Sequence, residues 1–201
     1  MIANQSVADE YREIASRFTE LVVAVPDEVT WQRQSPVPEW TARDVVRHLV
    51  EWFPSFLAAS AGVALPQGPS VDQDPVAAWR TMSDGVQAIL DDPASARKVV
   101  TNPNTGEVPL PEAISRFFTN DVFMHTWDLA RATGQDETLD PRRCAMLLDQ
   151  LIPIDELLRS SGHYGPRVEV PDETDVQTRM LAFIGRDPAG GDAPPEREDD
   201  V

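Results

Sequence analysis

Side-chain oxygens followed at once by an apolar repeat of helical period punctuate this chain, and that combination restricts it to few folds. "SVADEYREIASRFTELVVAV" opens with Ser6 and Asp9 in the spacing of a capping box, then places Tyr11, Ile14, Phe18, Leu21 and Val25 on one side. "TARDVVRHLVEWFPSFLAASAG" begins likewise with Thr41 and Asp44 and should end near Gly62. Pro54 inside it has no amide hydrogen, so the carbonyl of Val50 is expected to lose its partner and the helix to bend there. Asp74 and Pro75 have the N-cap and first-turn preferences of a third helix that buries Trp79, Met82, Val86 and Ile89. A fourth is expected from about Pro111 to Thr133, closed by Gly134, where a left-handed residue ends helices.

Asp140 and Pro141 start a fifth helix carrying Cys144, Leu147, Leu148, Leu151 and Leu158, with a break at Pro153. A last short helix falls around Asp175 to Ile184 and stops at Gly185. "RKVVTNPNTGEVPL" fits a small hairpin or an ordered loop. Strand signals are otherwise sparse, and helices can then bury their apolar stripes only against one another. The expected fold is all-α: an antiparallel four-helix bundle with short C-terminal helical additions. A chain of 201 residues with 41% hydrophobic content supplies one core, taken to span residues 1–186. "DPAGGDAPPEREDDV", residues 187–201, has six acids, one arginine and three prolines, and is read as a disordered acidic tail because it has no apolar cluster to offset its ordering entropy.

Lysine and arginine number 17 against 34 acids, a formal net charge of -17. A field of that sign repels phosphate backbones and anionic lipid surfaces, which argues against nucleic-acid and membrane partners. The N-terminus lacks the basic start and apolar run of a signal peptide, and no segment approaches the roughly 20 apolar residues of a membrane span, so a cytoplasmic location is expected. Cys144 is the only cysteine, which excludes an internal disulfide and a thiolate-pair metal site and leaves it as a small buried hydrophobe.

The fourth helix breaks its own pattern. In "NDVFMHTWDLARATG", Asp121, His125 and Asp128 share an arc with Ile114, Phe118, Val122, Leu129 and Ala132, while Trp127 and Arg131 lie off its centre. Asp121 and His125 are one turn apart and can converge on one point; Asp128 follows by three residues. In the second helix His48 shares a face with Val45, Trp52 and Ala59. Two histidines and an aspartate from two facing helices suit a three-ligand divalent-metal site of zinc, nickel or iron type. The spacing is equally met by a buried ion-pair network in which Arg43, Arg47 or Arg116 neutralises Asp121, because an unpaired buried carboxylate costs several kcal/mol, roughly. A dinuclear carboxylate site is disfavoured, since Glu13 and Glu20 lie off the apolar face of the first helix.

These residues carry a resemblance. "WTARDVVRHLVEW", followed later by an acid, three spacers and "HTWDLARATG", resembles the mycothiol-dependent maleylpyruvate isomerase-like group of the DinB-like superfamily, and more narrowly a shorter actinobacterial subfamily of metal-binding proteins. "YGPRVEVPDETDVQTRMLAFIGRDP" is similar to the closing segment of that subfamily, so the likeness extends over about residues 8 to 188. It implies a four-helix bundle holding a divalent ion, zinc foremost with nickel or iron as alternatives, through His48, Asp121 and His125. The isomerase has glutamate where this chain has Asp121, and a longer C-terminal region.

Two neutral imidazoles and one carboxylate leave a divalent ion positively charged with an open position, the mark of a catalytic rather than structural site. Such an ion favours the thiolate of a thiol, or lowers the pKa of water to about 7. Because Cys144 lies outside the constellation, thiol chemistry requires an external low-molecular-weight thiol, which the resemblance implies to be mycothiol. The expectation is a thiol-dependent transferase or isomerase acting on small electrophiles, as monomer or homodimer. The alternatives are a non-enzymatic metal- or ligand-binding module and a metal-dependent hydrolase. Asp128 would orient a ligand imidazole or pair with Arg131; Trp40, Trp52 and Trp127 would wall the pocket; and His163 in "SGHYGPRV" is a candidate for a fourth ligand or a substrate contact.

Overall fold

Ser6 starts helix α1 (Val7–Ala24) by accepting the Asp9 amide on its hydroxyl oxygen, but the Asp9 carboxylate takes the Ser6 hydroxyl rather than the Ser6 amide. The reciprocal box is completed instead at α3 (Ala42–Ala61), where Thr41 accepts the Asp44 amide and Asp44 accepts the Thr41 amide at 2.9 Å. Between them Asp27 caps a single turn, α2 (Glu28–Trp31). Asp74 caps α4 (Pro75–Asp91), with Pro75 in the first turn where a missing amide hydrogen is harmless. This computed structural model describes residues 5–102, 106–160, 162 and 164–190.

A strand pair, β1 (Val99–Asn102) and β2 (Gly106–Pro109), forms an antiparallel hairpin with Val100 opposite Val108. A continuous helical run follows: α5 (Leu110–Ala113), a π-helical stretch over Ile114–Thr119, and α6 (Asn120–Thr133), ended by Gly134 at φ +70°. The sequence reading of one uniform helix over this run is therefore corrected by the π turn. Its hydrogen bonding is wider, with the Asn120 amide on the Ser115 carbonyl, and Phe118 within it and Asp121 just after it both meet α3.

Contacts divide the chain into two units, residues 1–35 with 40–137, and residues 36–39 with 138–201. In the first, α1 packs against α4 and α6, and α3 packs against the same two helices, which is the ring of a four-helix bundle. The antiparallel pairs are α1 with α4, where Tyr11 meets Ser83 and Thr19 meets Trp79, and α3 with α6, where Phe53 meets Phe118 and His48 meets Asp121. The other pairs run the same way because segment 62–74 crosses back along the bundle before α4 begins. Pro66 lies against Gly85, where a Cβ would come within 2.4 Å of the proline ring, and the carbonyls of Val71 and Asp72 accept from Arg43 near the start of α3.

Tyr11, Phe18, Leu49, Phe53, Trp79 and Phe118 are fully buried, each contributing on the order of 1.5–3 kcal/mol by leaving water. Helix α3 continues through Pro54, and the Ser55 hydroxyl donates to the Glu51 carbonyl beside it. Val122 through Ala130 of α6 are buried without interruption, so Trp127, expected at the edge of the apolar arc, is enclosed at 1% exposure. A helix covered all round has no polar face to display.

The second unit holds α7 (Pro141–Leu151), a 3-10 turn at Ile152–Ile154 around Pro153, α8 (Asp155–Ser160) and α9 (Val176–Phe183). Asp140 and Asp175 cap α7 and α9, which pack together, and Arg167 lies 4.3 Å over the Phe183 ring. Gly185, at φ +88°, follows α9 as expected. His163, and residues 191–201 of the tail expected over 187–201, lie outside the described residues. Among the described residues no helix is long and apolar enough to cross a membrane.

Candidate metal centre

Helix α3 brings His48 and Trp52, one turn apart, to the face that meets α6, and α6 answers with Asp121 and His125, also one turn apart. His48 Nε2 lies 3.0 Å from Asp121 Oδ2, and the indole Nε1 of Trp52 donates to the same oxygen at 2.9 Å. The other carboxylate oxygen, Oδ1, is 3.5 Å from His125 Nε2. His125 Nδ1 is held at 2.8 Å by Asp128 Oδ2. Side-chain exposure falls from 28% at His48 through 16% at Asp121 to 7% at His125, so the cluster is open on the α3 side and closed beneath.

The ion-pair alternative is not what the chain builds. Arg43 pairs with Glu28 and with the carbonyls of Val71 and Asp72. Arg47 pairs with Asp44 and Asp72, and Arg116 with Glu112. Asp121 is surrounded instead by nitrogen donors. Burial pushes its carboxyl up, but the electrostatic influence of the neighbouring His125 and His48 rings, with the hydrogen bonds from His48 and Trp52, outweighs it and holds the pKa below the ordinary carboxylate value. The group is therefore an anion at neutral pH.

One ligand atom from each of His48, Asp121 and His125 can be chosen so that all three lie within 4.8 Å of one another. A divalent ion about 2.0–2.2 Å from each donor asks for spacings of about 3–4 Å, so no gap needs to close by more than roughly an ångström or two, within reach of side-chain rotations. The donor chemistry fits: His125 presents Nε2 because its Nδ1 proton is engaged by Asp128, the arrangement that second-layer carboxylates impose on metal-binding imidazoles. Glu13 and Glu20 are exposed on α1, consistent with their exclusion from a bundle-core site.

Of the three tryptophans expected around the site, two are there. Trp40 lies 4.9 Å from the His48 ring and stacks on His125 at 5.7 Å, while Trp52 stacks on His48 at 5.9 Å. Trp127 carries the Arg131 guanidinium over its ring at 4.6 Å, and Arg131 is bound to Glu137, so neither belongs to the wall. The Trp52 hydrogen bond to Asp121 was not foreseen from the sequence. The signal was present in the i, i+4 spacing of His48 and Trp52, but an indole is by default read as packing.

The family model of the mycothiol maleylpyruvate isomerase N-terminal domain matches residues 11–130, a span that holds His48, Asp121 and His125. An uncharacterized protein of Mycobacterium tuberculosis, represented in two strains, is 27% identical over 163 residues, covering 76% of this chain and 82% of the relative. No solved structure matches the chain. Matched over more than half its length and through every helix that bears a member of the triad, the chain belongs to the family of the mycothiol maleylpyruvate isomerase N-terminal domain.

Proposed function

We propose that this protein holds a divalent ion, zinc foremost, on His48, Asp121 and His125, and works as a thiol-dependent transferase or isomerase of small electrophiles with a low-molecular-weight thiol of the mycothiol kind as co-substrate. The observation that carries this reading is the meeting of two imidazoles and one carboxylate with, among the described residues, no arginine paired to that carboxylate. When bound, the ion supplies positive charge that favours a thiolate over a thiol at neutral pH.

The protein's own groups then have separable tasks. Asp128 holds the proton on His125 Nδ1, which keeps the Nε2 lone pair directed into the site. Trp40 covers the two imidazole rings and limits the access of water, and the partial exposure of His48 leaves one side open for a substrate. Cys144 does not serve as the thiol. It is buried, and burial together with the nearby Asp140 and Asp175 carboxylates pushes its pKa up to about 12, so the thiolate form is scarce. The nucleophilic sulfur comes from outside the chain.

The test is turnover of a panel of small electrophiles by zinc-loaded protein, with and without added thiol. Turnover that requires both ion and thiol is the expected result. Equal turnover without thiol would replace this reading with metal-assisted hydrolysis, and stoichiometric metal with no turnover would replace it with a binding module.

A further inference from the structure

We propose that Trp52 is a positioning residue that selects which carboxylate oxygen of Asp121 is offered to the ion; the inference rests on the metal site proposed above. Asp121 Oδ2 takes two hydrogen bonds, from His48 Nε2 at 3.0 Å and from Trp52 Nε1 at 2.9 Å. These two donors differ in what metal binding does to them. An imidazole nitrogen that ligates an ion uses its lone pair and carries no proton, so His48 Nε2 cannot ligate and still donate to Asp121. An indole nitrogen has only its N–H to offer, is a donor in every state, and keeps its bond.

Trp52 is thus the donor that holds Oδ2 in both states. Oδ1, 3.5 Å from His125 Nε2, is the oxygen that takes no bond from Trp52 and faces His125. The donor is itself held in place. The Trp52 ring packs edge-on against Phe53 at 5.2 Å and lies 5.8 Å from Phe56 and 6.2 Å from Phe118, and Phe118 stacks on Phe53 at 4.1 Å. Phe53 and Phe118 are fully buried. A side chain as short as aspartate has two χ angles, so fixing one oxygen fixes the other, and a carboxylate anchored at Oδ2 is restrained from swinging both oxygens onto the ion.

The test compares full-length protein with Trp52→Phe, which keeps a ring in the aromatic cluster and removes the N–H. Zinc affinity is read by competition with a chromophoric chelator, and coordination by the visible absorption of the cobalt-loaded protein. The expected result is a dissociation constant raised about 10–100-fold, the usual effect of losing an outer partner, with cobalt absorption that weakens as the freed carboxylate adds its second oxygen. Unchanged affinity together with an unchanged cobalt spectrum would overturn the role of Trp52 while leaving the proposed function standing. Failure of the unsubstituted protein to take up stoichiometric zinc or cobalt would overturn both. A measurement without substitution guards against a misfolded variant: the indole N–H resonance of Trp52 should stay protected from exchange after zinc is added, and its exposure on zinc binding would refute the proposal.

Discussion

Asp128, wholly enclosed in α6, takes a 2.8 Å hydrogen bond from Nδ1 of His125 and so leaves Nε2 of that ring facing Asp121. The bond selects one imidazole tautomer in the absence of any ion. Replacing Asp128 by Ala strands the Nδ1 proton of a buried ring, which costs about 1–3 kcal/mol. Chemical denaturation of Asp128→Ala should show a loss of that size, and zinc affinity should fall about 10–100-fold. Asp128→Asn, which retains an acceptor, should recover most of the stability and part of the affinity.

Removing a ligand differs from removing its support. His48→Ala and Asp121→Ala should each abolish stoichiometric metal, read by elemental analysis of purified protein, while circular dichroism reports undiminished helix content. Both side chains sit at a partly open edge rather than in the sealed core, with His48 28% and Asp121 16% exposed, so truncation leaves no large cavity. Metal occupancy unchanged in both variants would show that the triad is not the ligand set.

Cys144 should be chemically silent in the native state. Its pKa of about 12 follows first from burial and then from Asp140 and Asp175, and the thiol is enclosed. A thiol-labelling reagent at pH 8 should modify it only after denaturant is added. Cys144→Ala should bind zinc as the parent protein does.

The capping box at the start of α3 is expected to make a pH-dependent contribution to stability. Burial pushes the Asp44 carboxyl up, but the Thr41 amide and hydroxyl and the Arg47 guanidinium together hold it below its ordinary value of 3.8. A depressed folded-state pKa means that the contribution is complete above the unfolded value and disappears as pH falls through the folded one. Thr41→Ala, which loses the hydroxyl cap, should cost about 0.5–2 kcal/mol at pH 7. The gap in denaturation midpoint between Asp44→Asn and the parent should be full at pH 7 and narrow below about pH 4.

The helix starts at Ser6, Thr41, Asp74, Asp140 and Asp175, and the stops at Gly62, Gly134 and Gly185, fall where the sequence predicts them. Each is settled by atoms within a few residues of one another, so local spacing is enough. His48, Asp121 and His125 were legible for a related reason: a polar side chain on an apolar arc costs free energy unless something answers it, and the periodicity shows the violation without showing the answer. The likeness of "WTARDVVRHLVEW" and "HTWDLARATG" to a metal-binding family narrowed what the answer was.

Other features needed the assembled bundle. Segment 62–74 is long enough either to turn α4 back or to carry it round, and the seating of Pro66 on Gly85 decides for the second. The π turn before Asp121 carries Phe118, which stacks on Phe53, a contact across helices that no helical wheel contains. Trp52 bonds Asp121, and Arg43, Arg47 and Arg116 turn to other acids, because the distance between α3 and α6 is set by the whole core. By itself the sequence determined where the main helices begin and end and which polar groups had to be answered, since those follow from short-range hydrogen bonding and periodicity. Tertiary structure alone decided which groups answer them, because that depends on separations between residues more than sixty positions apart in the chain.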